Sequence, residues 1–201
     1  MRAVAVREDI RDLILDAADR LLARYGFKKM TMDDLASEVG IAKGTIYLHF
    51  SSKEEVALYR IDRVIARLYE ELRKAAGSGE KPDVRLRAML ITRVMFRFDS
   101  VQHYAENFDE QLATIRPALQ ARREKYFEEE AQIFAKILQE GRQQKAFSFR
   151  DAHYTAHSLI VATNALLPSN LKAGEIKNRQ AVEERISQVS LILVNGLSVK
   201  N

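Results

Sequence analysis

Ile14, Ala17, Ala18, Leu21, Leu22 and Tyr25 recur at the i, i+3, i+4, i+7 spacing of a helix with one apolar face. Gly26 ends that stripe. A glycine takes the left-handed conformation just past a helix end, and Phe27 behind it can fold back on Leu21 or Leu22. Thr31 then opens a second helix, with Asp34 three residues on as its reciprocal cap. After Ser51 and Ser52 the pattern predicts a long capped helix to about Lys74, carrying Val56, Leu58, Ile61, Val64, Ile65 and Leu68. "AAGSGEKPD" breaks it, and Pro82 suits the first position of the next helix, to about Phe98. A short helix near Val101–Leu112 follows, then one opened by Pro117 that fades around Gly141. Ser148, with Asp151 three residues later, caps another to about Leu166. "LPSNLKAGE" reads as a loop, and a last helix covers roughly Val182 to Val199. There is no internal repeat, and no alternating stretch is long enough for a strand. The fold class expected is all-α, divided into residues 1–51 and residues 52–201.

Composition narrows this little. In 201 residues, 47% apolar content is enough for a full core, and 30% charged content suits a solvated surface. With no cysteine, neither a disulfide framework nor a thiolate metal site can form. No stretch approaches a membrane-spanning run, so the expectation is a cytoplasmic protein without a membrane partner. A net charge of +4 permits a polyanionic partner, yet residues 1–55 carry nine basic side chains against ten acidic ones. Any case for nucleic acid must therefore rest on the placement of charges.

That placement centres on "IAKGTIYLHFSSKEE", Ile41 to Glu55. Residues 32 to 50 read as two helices meeting at a turn. Leu35, Ala36 and Val39 form the inner face of the first, and Ile46 and Phe50 belong to the second. Ala36 is small where two crossing helices approach closely. Gly40 sits where the turn needs positive φ, and Ile46 plugs the crossing. This is the sequence form of a helix-turn-helix, whose second helix enters the major groove. Gly44 costs a helix about 1 kcal/mol relative to alanine but lets a neighbouring surface come close. Lys43, Thr45 and Tyr47 can present donors and a ring edge to bases or sugar-phosphate. Lys53 stands in the first turn of the next helix, where a cation is disfavoured by roughly 0.3–1 kcal/mol and a phosphate would reverse the sign. Each has a plainer alternative: solvation for Lys53, packing for Tyr47, a helix cap for His49 and Thr31. Asp33, Asp34 and Glu38 read as a solvated or capping face.

"LILDAADRLLARYGF" followed by "TMDDLASEVGIAKGTIYLHFSSKEE" resembles the DNA-binding region of the tetracycline-repressor (TetR) family of bacterial regulators, over about residues 9–60. "EGRQQKAFSFRDAHYTAHSLIVATNAL" resembles, more weakly, the segment leading into that family's dimerisation helices. The resemblance implies that Lys43, Gly44, Thr45 and Tyr47 face bases and nearby backbone, and that Thr31, His49 and Lys53 hold phosphates. Leu48 stands where members often carry a polar or aromatic residue, so no phosphate contact is carried to it. The resemblance also implies an effector pocket in the central helices, within a larger helical domain that binds effector and dimerises. Candidates there are Met89, Phe96, His103, Tyr104, Phe108, Tyr126 and Phe127, with His103 and Tyr104 as polar handles; residue by residue, ordinary core is the alternative.

A helix-turn-helix reads few base pairs, and a two-fold dimer reads two half-sites. The last helix, "ISQVSLILVNGLSV", is apolar nearly all round, more than a monomer easily covers. Leu159 and Thr163 on the preceding helix, with Val189, Ile192, Leu193 and Leu197, are the candidate dimer interface; the alternative is a hairpin buried inside one subunit. His153 and His157, four apart, could share a metal, but two ligands without a nearby carboxylate make no site, so no metal is expected. No paired carboxylates, glycine-rich phosphate loop or activated serine argues for an enzyme, and no cofactor is expected. The reading is a dimeric repressor of a palindromic double-stranded DNA operator, released when a small apolar or aromatic effector changes the spacing of its reading heads. The rival is a helical co-regulator that has lost its DNA.

Overall fold

The computed structural model describes residues 2–102 and 108–199, with side chains described for residues 10–102, 113–172 and 174–199. Nine α-helices span the described residues: α1 (Arg2–Lys29), α2 (Met32–Val39), α3 (Lys43–Tyr47), α4 (Lys53–Ala76), α5 (Pro82–Val101), α6 (Phe108–Gln143), α7 (Ala152–Thr163), α8 (Ala173–Ile176) and α9 (Arg179–Leu197). Two 3-10 turns, Asn164–Leu166 and Pro168–Asn170, lie between α7 and α8. The all-α expectation holds. The chain divides into two compact units: one runs as far as Arg63 and takes in α6 up to Gln120, the other holds Val64–Gln102 and the chain from Ala121 onward.

In the first unit the predicted stripe on α1 is buried at Ile14, Ala17, Ala18, Leu21 and Leu22, with Leu15 added. Tyr25 departs from it, 48% exposed under the guanidinium of Arg24. Gly26, at φ 74°, kinks α1 without ending it, and Phe27 folds into the core. Phe27, Met30, Met32, Leu35, Ala36, Ile46, Phe50 and Val56 complete that core, and Ile115 of α6 reaches it from far along the chain.

In the second unit α9 packs along α5, and α7 packs against both. Leu86, Met89, Leu90, Val94 and Phe98 of α5 are fully buried, as are Phe134 and Leu138 of α6, Ala156 and Ile160 of α7, and Ile186 of α9. Several boundaries differ from the pattern. Pro117 lies inside α6, which begins at Phe108. Burial of Ile115 two residues earlier anchors the helix across the hydrogen bond that a proline cannot donate. The cap of α7 is Asp151, which accepts the Tyr154 N–H at 2.6 Å. Ser148 instead donates its N–H to Leu197 O at 2.8 Å, beside the isolated bridge between Phe147 and Ser198. The loop expected at "LPSNLKAGE" holds the second 3-10 turn and the start of α8, and Asn178 caps α9 ahead of the expected start at Val182.

Gly141 permits the closest approach in this unit. A Cβ there would lie 2.2 Å from Cδ2 and 2.5 Å from Cε2 of Phe147, and 3.1 Å from Pro82 Cβ. The Phe147 ring is 2% exposed and has nowhere to retreat. Gly141→Ala is therefore expected to destabilise the chain by about 1–3 kcal/mol, the usual penalty of overpacking, read as a lower chemical-denaturation midpoint with an unchanged slope.

Candidate nucleic-acid interface

The first unit builds its exposed corner from α2, a turn and α3. Thr31 caps α2 as predicted: its Oγ1 accepts the Asp34 N–H at 3.1 Å while the Asp34 carboxylate accepts the Thr31 N–H at 2.9 Å. Gly40 sits at φ 77°, ψ 31°, the left-handed geometry that ends α2, and its N–H donates back to Ala36 O. Ala36 and Ile46 are buried at the crossing, as the spacing requires. Phe50 packs edge-on against Tyr59, and the Arg11 guanidinium stacks over both rings.

With Ile46 and Phe50 inward, the rest of α3 faces out. Lys43, Gly44, Tyr47 and Leu48 are exposed, and Thr45 and His49 are partly so. No heavy atom lies within 4 Å of where a Gly44 Cβ would stand, so the helix surface there is open. Lys43 pairs with Asp33 at 2.8 Å, which raises the ammonium above its usual range. Arg20 pairs with Glu38 at 2.7 Å and holds that carboxyl low. The acidic residues of α2 are thus engaged by the protein's own groups. Leu48, to which the resemblance carries no phosphate contact, is at 81% the most exposed large apolar side chain among the described residues.

Lys53 opens α4, in the first turn as the pattern predicts, and its ammonium reaches back to α1. Its ammonium donates to the carbonyls of Phe27 at 3.2 Å, Lys28 at 3.2 Å and Met30 at 3.3 Å, over the Phe27 ring. Those carbonyls close the end of α1, where a helix dipole favours a cation. The charge that is misplaced at the start of α4 is well placed at the end of α1. The start of α4 has its own partners: Ser52 Oγ accepts the Glu55 N–H, and the Glu55 carboxylate accepts from Ser51 N and Oγ at 2.6 Å. The phosphate expected at Lys53 thus meets an occupied ammonium.

Residues 14–59 match the family described as "Bacterial regulatory proteins, tetR family". The likeness to that family rests on this region, which holds α2, the turn and α3. An uncharacterised helix-turn-helix transcriptional regulator of Bacillus subtilis, YhgD, is 34% identical over 76 residues, 38% of each chain. A fatty acid metabolism regulator protein of Bacillus subtilis is 32% identical over 72 residues, 34% of this chain and 37% of its own. The chain thus spans under two fifths of the length of these curated relatives. A tetR-family transcriptional regulator from Pectobacterium atrosepticum has the same fold, with a TM-score of 0.75 over 98% of this chain and 97% of its own at 17% identity.

Of the remaining candidates, Met89, Phe96, Tyr126, Phe127 and the expected interface residues fall in the second unit. Met89 is fully buried on α5, and Phe96, Tyr126 and Phe127 are half-buried. His103 and Tyr104 lie outside the described residues, and so does the side chain of Phe108. Leu159 and Thr163, expected at a subunit interface, are inside the protomer at 4% and 0% exposure. Thr163 is held there because its Oγ1 accepts from Arg93 Nη1 at 2.8 Å. Arg93 is itself fully buried, with Nε donating to Glu130 at 2.7 Å and Nη2 to Asn164 at 2.7 Å. Burial pushes this guanidinium down to about 9. Arg97 also pairs with Glu130, so one buried carboxylate faces two guanidinium groups. Ile192 is 68% exposed and Val189, Leu193 and Leu197 are half-buried, while Tyr154 and Val161 of α7 and Leu191 of α9 add apolar surface that the sequence pattern did not single out.

The Lys53 geometry gives a separable prediction. Lys53→Ala leaves three carbonyls at the end of α1 without a cation, and the chain is expected to lose on the order of 1 kcal/mol of stability. The salt dependence of DNA binding by the folded variant is expected to keep its slope. A slope reduced by about one unit would return Lys53 to the phosphate contacts.

Proposed function

We propose that the chain is a transcriptional regulator, not an enzyme, that lays α3 in the major groove of double-stranded DNA and acts as an effector-released repressor. One observation carries this. A five-residue helix and its C-cap Leu48 bury Ile46 and turn Lys43, Gly44, Tyr47 and Leu48 to solvent, the inverse of what a helix kept for packing would do. Lys43 and Thr45 offer hydrogen-bond donors, Tyr47 a ring and a hydroxyl, and Leu48 an apolar contact for a thymine methyl. Thr31 and His49 flank them as backbone contacts.

The working unit is a homodimer on a palindromic operator. Its support is the apolar surface that Tyr154 and Val161 of α7 and Leu191 and Ile192 of α9 leave exposed. The effector is a small apolar molecule taken up among Met89, Phe96, Tyr126 and Phe127. The relative named for fatty acid metabolism matches this chain over only 34% of its length, so the effector's class rests on this chain's own second unit.

Selection of bound fragments from a random DNA library at low ionic strength tests the reading. A palindromic consensus is expected, whereas recovery of nothing would leave the helical co-regulator. On the selected site Tyr47→Ala is expected to cost about 1–3 kcal/mol of binding, with a smaller loss on random DNA. Gly44→Ala separates fold from function. The open surface accepts a methyl group and the helix gains up to about 1 kcal/mol, so thermal stability is expected to hold or rise. DNA affinity is expected to fall, because the methyl group stands where the duplex backbone must approach; unchanged affinity would remove α3 from the groove.

A further inference from the structure

Two histidines one turn apart on α7 lack a third ligand in their own segment, and the fold supplies it from α6. Glu128 Oε1 lies 2.9 Å from His153 Nε2, and Glu128 Oε2 lies 3.3 Å from His157 Nε2. The two imidazole centroids are 5.1 Å apart, and the three ligand atoms all lie within 4.8 Å of one another. We propose that Glu128, His153 and His157 form a binding site for a first-row divalent transition metal ion, bridging α6 and α7 within the second unit.

The donor set decides the class of ion. Two neutral imidazoles and one carboxylate suit Zn²⁺ and its first-row neighbours and suit Mg²⁺ or Ca²⁺ poorly, since those prefer oxygen alone. Histidines at i and i+4 share one helix face, the arrangement in which a helix offers two nitrogens to one ion. Bonds of about 2.1 Å at tetrahedral angles place ligand atoms about 3.4 Å apart, near the two separations between Glu128 and the histidines, and an ion would draw the three ligand atoms together from within 4.8 Å. The side chains are 47%, 45% and 39% exposed for His153, Glu128 and His157, so small rotations meet no packing barrier, and water completes the coordination.

The carboxylate is prepared for this. Gln132 donates to Glu128 Oε1 at 3.2 Å and, with the two imidazoles, holds the carboxyl at about 2, ionised at any physiological pH. Gln132 orients the ligand as outer-shell partners of metal sites do. A metal on both Nε2 atoms leaves each Nδ1 to carry the ring proton.

The test is a calorimetric titration of Zn²⁺ into the tag-free, full-length chain after chelator treatment, with a thermal melt alongside. One Zn²⁺ per chain and a raised Tm are expected, and Mg²⁺ should give neither. His153→Ala, His157→Ala and Glu128→Gln are each expected to weaken binding at least tenfold while far-ultraviolet circular dichroism shows an unchanged helical fold. No heat and no Tm shift with Zn²⁺ would overturn the site. So would Zn²⁺ binding that survives the His153→Ala/His157→Ala double substitution, which would place the ion elsewhere.

Discussion

Burial of Ile46 and Phe50 is the constraint on which the reading corner depends. A helix of five residues cannot hold itself, because nucleating the first turn fixes several dihedrals for one hydrogen bond. α3 exists because those two side chains, at 0% and 1% exposure, anchor it in a core built by α1, α2, α4 and one residue of α6. Gly40 sets the angle at which it leaves α2, and Arg11, Phe50 and Tyr59 lock its far end. Everything else on α3 is free of packing duty, which leaves Lys43, Gly44, Tyr47 and Leu48 for a partner.

The charge balance follows from the same packing. Residues 1–55 carry no excess of positive charge, which by itself argues against a polyanion. The acids, however, have internal partners. Asp16 and Asp19 on α1 meet Arg63, Asp19 also meets Arg60, Glu38 meets Arg20, and Asp34 closes its cap with Thr31. Arg60 and Arg63 lie beyond residue 55 in the chain. Placement therefore decides the local field, and net charge over a segment does not. Lys53 shows the reverse case: a cation that the linear pattern offers to phosphate serves the end of α1.

The second unit departs from an ordinary apolar core around Glu130. Arg93 and Arg97 share Glu130, with Thr163 and Asn164 taking the remaining donors of Arg93. Removing two cations from water is expensive, and the hydrogen bonds are what keep them folded inward. That network also explains why Thr163 is unavailable at the surface. Exposed apolar side chains there include Ile192, which the sequence named for an interface, and Tyr154 and Val161, which it did not.

The sequence by itself determined the all-α class, the capping box at Thr31, the left-handed turn at Gly40 and the inward pair Ala36 and Ile46. Each of these follows from interactions within a few residues, where spacing and side-chain type suffice. It could not place Pro117 inside α6, turn Lys53 toward α1 or bury Thr163 beneath Arg93. Nor could it bring Glu128 to two histidines that stand 25 and 29 residues away. Those outcomes belong to the tertiary structure, because each depends on which helices pack together, and a local pattern of apolar and polar positions holds no record of its distant neighbours.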